Sequence, residues 1–427
     1  MPLTFATGSD LAQAFARLRS ARRGGGGGFL ARLRRTPRQD LDTLAKRILL
    51  PSLPVSDEEM ARATHREKGR KLARQESWAE FADMVDYADA ARLTTHGGAP
   101  AALLLAEGAR ADVVAAAQDA ICDGAKPEPQ GLEALEEMQA EHPESYPCAL
   151  VVAMAHHDIG LAWRNSPQAG ESPTHHLKAQ THFDRAAEIL ATFDAVECDS
   201  PALAAGGCTL ICTRPRPGRH LARGFKTLID LDPDSPRHMR RFGRAVLEKY
   251  DTPFAMLERA ARRTAERTAE VWGAGGYVWV YLDALARDQR ALREVDATLF
   301  IGGMRDILAV RDDQHVVNQL AAFCALPMAP RGLCDKELPA TAEATRAELH
   351  DCLDWLLSRH LQELHPYVWA RAMARPSRAP KRPPRRALVQ SGRQAALRVI
   401  AERYADEIAD GSSLAFSRSG MYRLPAL

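Results

Sequence analysis

Aromatic residues are scarce in this 427-residue chain, at 6% of positions, and the Val/Ile/Thr/Tyr runs that strands enrich are missing. Alanine fills many apolar positions instead, and alanine is the strongest helix former. An all-α fold follows. The longest apolar runs, such as Ala149 to Ala155, are far too short to cross a bilayer. The N-terminus shows no apolar core of signal-peptide type, so a cytoplasmic location is the expectation. Eight cysteines are scattered with no C-x2-C among them. Cys208-x3-Cys212 is a one-turn helical spacing without a matching second pair, and buried thiols in a reducing compartment are expected.

Catalytic signatures are missing too. There is no G-x-S-x-G, no Walker A sequence, no G-x-G-x-x-G after a strand and no kinase signature. The glycine run Gly24 to Gly28 has no lysine-serine/threonine continuation, so it reads as a flexible link and not a phosphate loop. His156-His157-Asp158, with His175-His176 nearby, is the one cluster of metal-binding residue types. Histidines at i and i+1 point to different helix faces and cannot chelate one ion as an i, i+4 pair can. No metal and no cofactor are expected.

What the chain does contain is charge placed unevenly. The net charge is +2. Residues 1–49 carry ten basic groups against Asp10, Asp40 and Asp42, and residues 371–398 carry nine basic groups and no acid. Basic ends therefore flank an acidic body. Such ends fit contact with nucleic acid or an anionic surface, and equally fit tails that solvate themselves or fold back on the body. The organisation expected is a basic, Gly-rich arm over 1–56, a helical body over 57–370, and a Pro/Arg linker with one last helix over 371–427. Proline and glycine punctuate amphipathic segments throughout the body. One strong helix is expected from Thr341 to Leu364, a linker from Trp369 to Arg386, and a loose tail from Gly411 onward.

The densest pattern lies between Leu221 and Tyr281. Leu221-x3-Phe225-x2-Leu228 leads to Leu231-Asp232-Pro233; Met239-x2-Phe242-Gly243-x2-Val246 opens one helix and Trp272-x2-Gly275-Gly276-x2-Trp279 another. Met239 and Trp272 are 33 residues apart, as are Gly243 and Gly276. A period in the low thirties built from two helices marks a stacked helical array. The pattern resembles the tetratricopeptide family, W-x2-L-G-x2-Y then A-x3-F then P; Ala179-x3-Phe183-x2-Ala186 matches its second half. The match is good over 219–286, partial over 132–195 and faint over 299–325. Gly275 and Trp279 stand where the family has leucine and tyrosine, so the array is degenerate. The resemblance implies a tetratricopeptide-like α-solenoid of antiparallel helix pairs, with flexible basic terminal segments, that binds a protein or peptide as a scaffold or adaptor.

Candidate contacts follow. Tyr277 and Tyr281, four apart, share a helix face distinct from that of Trp272 and Trp279. That face either lines a concave groove, which suits tyrosine, or is buried along with the tryptophans. Arg237, Arg240 and Arg241, and a second cluster at Arg214, Arg216, Arg219 and His220, are placed to meet a carboxylate or phosphate or else to form plain surface. Two other functions fit parts of the sequence: nucleic-acid binding through the basic ends, and a helical enzyme built near His156.

Overall fold

The computed structural model describes residues 45–166, 173–330, 338–373 and 383–425, together with the backbone of two short strands, Leu3–Thr4 and Arg375–Pro376. The chain is mostly helical, as its composition predicts. Most of the expected N-terminal arm, including the glycine run, lies outside the described residues. No described helix is long and apolar enough to cross a membrane. Two compact units divide the chain: Asp57–Ala284, and Met1–Ser56 together with Leu285–Leu427. The first begins where the expected body begins, but the division falls after Ala284, inside the helix Gly275–Arg287.

Three helices of Asp57–Ala284 start alike. Ser200 precedes Pro201–Ile211, Ser235 precedes Pro236–Lys249 and Thr252 precedes Pro253–Arg267. Proline suits the first helical position, where its missing N–H leaves no bond unmade. The helix Tyr146–Asn165 starts at Ser145, and every residue from Pro147 to His157 is buried. A helix covered on all sides belongs at a centre. Accordingly it packs against Trp78–Ala90, Ala101–Ala109, Ala111–Cys122, Gln130–Glu141, Pro173–Leu190 and Pro201–Ile211. Beyond it the packing runs from neighbour to neighbour: Pro201–Ile211 on Arg219–Leu231, that helix on Pro236–Lys249, and this on Pro253–Arg267. Phe225 and Phe242 stack across the second of these contacts, 5.1 Å between ring centres.

Glycine sets two close crossings. A Cβ on Gly69 of the helix Asp57–Arg74 would lie 2.1 Å from the Leu105 carbonyl oxygen, and one on Gly108 would lie 1.9 Å from that of Arg66. Each glycine makes room for the other helix's backbone. Gly243 does the same for Val280, whose carbonyl oxygen sits 1.8 Å from where a Cβ would be.

The other unit holds the helices Ala297–Val310, Gln314–Ala325, Ala340–Asp351, Pro366–Ala372 and Arg385–Arg403. The expected single helix over 341–364 is instead Ala340–Asp351, a short turn Leu353–Trp355 and a π-helical turn Leu356–His360. Buried Asn318 draws the chain beyond that turn inward. Its Nδ2 donates to the carbonyls of Gln314 (2.8 Å) and Glu363 (2.9 Å). Its Oδ1 accepts from the His365 amide and the Trp369 indole, both at 2.9 Å. Trp369 is therefore core and not linker. The tail expected to be loose is a hairpin, Ser413–Ser417 against Gly420–Leu424, with Ile48–Leu49 added in parallel to its first strand. Leu414 and Phe416 alternate inward, the period-2 signature of a strand with one buried face.

Candidate functional site: an arginine recess

The helix Pro236–Lys249 buries Met239, Phe242, Gly243, Ala245 and Val246. That leaves Arg237, Arg241 and Arg244, spaced i, i+4, i+7, along another stripe of the same helix. Arg240 Nη2 pairs with Asp283 Oδ1 at 2.6 Å, and Arg244 lies 3.8 Å from the other oxygen of the same carboxylate. Among the described residues Arg241 has only neutral acceptors: its Nη2 donates to Thr209 Oγ1 (2.5 Å) and its Nη1 to the Ala205 carbonyl (3.4 Å). Arg237 has no hydrogen-bond or ion-pair partner among the described residues.

Three further helices complete the surroundings. Asp57–Arg74 brings Arg62 and Arg66, Ala101–Ala109 brings Glu107, and Pro201–Ile211 brings Ala205 and Thr209. The nearby acids are already engaged. Glu107 accepts from Arg66 Nη2 at 3.0 Å, and buried Glu58 accepts from the Gly97 amide at 2.6 Å with Arg62 at 3.8 Å. Arg62, Arg66, Arg240 and Arg244 thus each lie within 4 Å of a carboxylate, and Arg237 and Arg241 do not among the described residues.

Electrostatics describe the shape of this place. Arg237 is open to water by area, yet its guanidinium is pushed down to about 10. Desolvation is the main cause, followed by repulsion from Arg62 and Arg241, with Arg244 adding to it and Glu107 opposing it. Arg241, half-buried, is pushed down for the same first reason. Along Asp57–Arg74 an open depression of ≈ 630 Å³ is lined by Arg66, Lys68, Arg70 and Lys71 together with Glu67, which pairs with Arg70. An enclosed cavity elsewhere, of ≈ 10 Å³ between Asp89, Arg92, Asp232 and His238, holds no more than a water.

Other sequence candidates sit differently. Tyr277 and Tyr281 are both 0% exposed, and their hydroxyls donate to Glu258 Oε2 at 2.6 and 2.8 Å. Trp272 and Trp279 are equally buried, 5.7 Å apart and edge to face. Both faces are interior. The groove assignment for Tyr277 and Tyr281 is corrected: a carboxylate from Pro253–Arg267 satisfies their hydroxyls inside the fold. Arg214, Arg216, Arg219 and His220 are exposed, and the Arg214 carbonyl accepts from Lys249 Nζ at the far end of the helix Pro236–Lys249 (3.2 Å).

His156 is buried, with Nδ1 3.0 Å from His182 Nδ1 and Nε2 3.3 Å from Glu136 Oε1. His157 faces Asp158 instead, at 3.0 Å, so the adjacent histidines diverge as the helix geometry requires. Burial pushes His156 down, and burial with repulsion from His156 takes His182 to about 4. Their facing Nδ1 atoms form one hydrogen bond, in which one ring donates and the other accepts. No group of three or more metal-ligating side chains occurs among the described residues.

The i, i+4 spacing of Arg237 and Arg241 is written in the sequence, and so is that of Arg62 and Arg66. Their convergence is not, because the two helices are far apart along the chain. No family model matches this chain, and no curated protein and no solved structure matches it.

Proposed function

We propose that this chain is a non-catalytic binding protein: a tetratricopeptide-like helical scaffold that holds an acidic segment of a partner protein at the recess formed by Arg237 and Arg241. One observation carries the reading. Two guanidinium groups, exposed Arg237 and half-buried Arg241, stand four residues apart on one helix stripe with no carboxylate partner among the described residues. A half-buried charge such as that of Arg241 is normally paired, and it is held here by neutral acceptors alone among the described residues. Arginine's planar fork of donors also matches carboxylate and phosphate oxygens. The neighbour-to-neighbour packing from Pro201 to Arg267 and the 33-residue spacing support the helical-repeat part of the reading. Seven free thiols among the described residues support a reducing, cytoplasmic setting.

The test is fluorescence anisotropy of the full chain with Asp/Glu-rich and neutral degenerate peptides, against mixed-sequence DNA and RNA. The expected result is binding of the acidic peptides, weakened by salt and lost in Arg237→Ala. Tighter binding of nucleic acid, unchanged by Arg237→Ala, overturns it in favour of a function led by the basic ends.

A further inference from the structure

We infer that the turn between the helices Arg219–Leu231 and Pro236–Lys249 is completed by one buried water molecule, held as a structural ligand by Asp232. The other polar groups of this turn have protein partners. The Leu231 carbonyl accepts from Arg92 Nε at 3.1 Å, and the Pro233 carbonyl from the Trp272 indole at 2.9 Å. Ser235 Oγ donates to the Gly98 carbonyl at 3.3 Å, and Asp232 Oδ2 lies 3.0 Å from His238 Nε2. Asp232 Oδ1 is left buried with no protein donor among the described residues. A buried carboxylate oxygen is normally satisfied, by the protein or by ordered water.

The room for it is there. Asp232 and His238 line the enclosed cavity of ≈ 10 Å³ together with Asp89, Arg92, Pro100 and Ala102. That volume admits one water and nothing larger. The lining then chooses among species of that size. A small anion would face the carboxylates of Asp89 and Asp232, and a small cation would be repelled by the Arg92 guanidinium. Water serves both signs, since it donates to a carboxylate and accepts from an N–H. Arg92 spends four N–H groups on the carbonyls of Leu231, Asp89 and Asp199 and on the Asp199 carboxylate. One of its N–H groups, on Nη2, remains for the water. Asp89 Oδ2 accepts from the Ser200 and Tyr146 hydroxyls, whereas Oδ1 takes the Ala202 amide and keeps a lone pair. With Asp232 Oδ1 these make three polar partners, the usual number for a buried water. Arg92 (φ 50°) and Asp199 (φ 45°), paired at 2.6 Å, both stand in the left-handed region. Such backbone persists where the surrounding bonds over-determine it. The water adds to those bonds at the point where the helix carrying Arg237 and Arg241 begins.

The experiment is a high-resolution crystal structure of the full chain, with a second crystal soaked in rubidium chloride as the probe for a monovalent cation. The expected result is one density peak in the cavity, about 2.6–3.2 Å from Asp232 Oδ1, with no rubidium anomalous signal. Two variants of Ala102, which is buried in the cavity wall, test the same point in solution. Ala102→Ser offers a hydroxyl in place of the water, and should keep a melting temperature near that of the parent chain. Ala102→Val fills the space with methyl groups that cannot donate, and should melt several degrees lower. Both should show one long-lived water fewer than the parent in oxygen-17 relaxation dispersion.

A parent crystal with no peak in the cavity, and Asp232 Oδ1 turned to a protein donor, overturns the inference whatever the variants do. A rubidium signal at the site overturns it in favour of a cation. Retention of the parent's count of long-lived waters by both variants overturns it too, because the water counted would then lie elsewhere.

Discussion

The 314–369 segment and the 237–241 stripe treat their polar side chains in different ways. In the unit containing Leu285–Leu427, Asn318 is fully buried and uses both donors and both acceptor positions of its amide on the 363–369 segment and its own helix. Gln314 does likewise, donating to the His360 carbonyl and accepting from the Gln362 and Glu363 amides. Arg346, 4% exposed, has Glu343 as its carboxylate partner. In Asp57–Ala284, exposed Arg237 and half-buried Arg241 have no such partner among the described residues. A satisfied polar network rigidifies a core, whereas an unsatisfied charge lowers stability and persists where it does something else. The first arrangement holds the chain in shape; the second waits for a ligand.

The largest effect is expected at Asn318. Asn318→Ala strands the His365 amide, the Trp369 indole and the Glu363 carbonyl in a buried site, at about 1–3 kcal/mol for each such group. The expected loss is about 3–5 kcal/mol by urea denaturation followed by tryptophan fluorescence. A loss under about 1 kcal/mol would mean the network is not what shapes this segment.

Close helix crossings come next. Gly243→Ala puts a methyl 1.8 Å from the Val280 carbonyl oxygen, which is backbone and cannot turn aside. The helices Pro236–Lys249 and Gly275–Arg287 must separate, at a cost of about 2–3 kcal/mol. Gly302→Ala in Ala297–Val310 has nothing within 4 Å and should stabilise by about 0.5–1 kcal/mol through helix propensity. If the two glycines behave alike in thermal melts, the close approach of Gly243 to Val280 is not real.

A pH effect of similar size separates His182 from the arginines. Its folded pKa of about 4 lies below the ordinary value of 6.5. Between those values the unfolded chain binds the proton and the folded chain does not. Stability is thus full above pH 6.5 and is lost as pH falls toward 4, by about 2 kcal/mol at pH 5. Glu136 and His156 are the charged and titratable groups against it, and Arg185 sits on Glu136. His182→Gln should flatten the dependence measured by denaturation at pH 7.5 and 5. An unchanged slope would assign it to another group.

Helix boundaries and the helical class could be read from the chain because they are local: Ser-Pro and Thr-Pro starts, alanine-rich faces and glycine breaks act within a few residues. The tyrosine face shows where local reading stops. Spacing places Tyr277 and Tyr281 together but is silent on what covers them, and the cover is Glu258, nineteen residues before Tyr277. The C-terminal hairpin escaped because five alternating residues, Ser413–Ser417, make a weak signal and their parallel partner is Ile48–Leu49 at the other end of the chain. The recess is intermediate. Each arginine pair announces itself by spacing, but absence of a carboxylate partner is a three-dimensional fact.

Tyr281→Phe provides a smaller and more local contrast. It removes one hydroxyl that Glu258 accepts from, at about 1 kcal/mol, and should leave peptide binding untouched. The loss would show that Asp57–Ala284 also contains ordinary satisfied contacts, so that the recess and not the whole unit is the exception. Impaired binding with unchanged stability would return Tyr281 to the contact surface.

The smallest expected change in stability is the most telling. Arg237→Gln removes a charge that Arg62, Arg241 and Arg244 repel and that no partner holds. A structural arginine cannot be replaced in this way without loss, since its partner would be left with an unpaired charge. Here the change should fall within about 0.5 kcal/mol of zero, or raise stability slightly, and any gain should shrink as salt screens the repulsion. Loss of peptide binding without loss of stability is the signature that distinguishes a group kept for a ligand from one kept for the fold. A destabilisation above about 1 kcal/mol would give Arg237 the same role as Arg346 and erase the contrast between the two units.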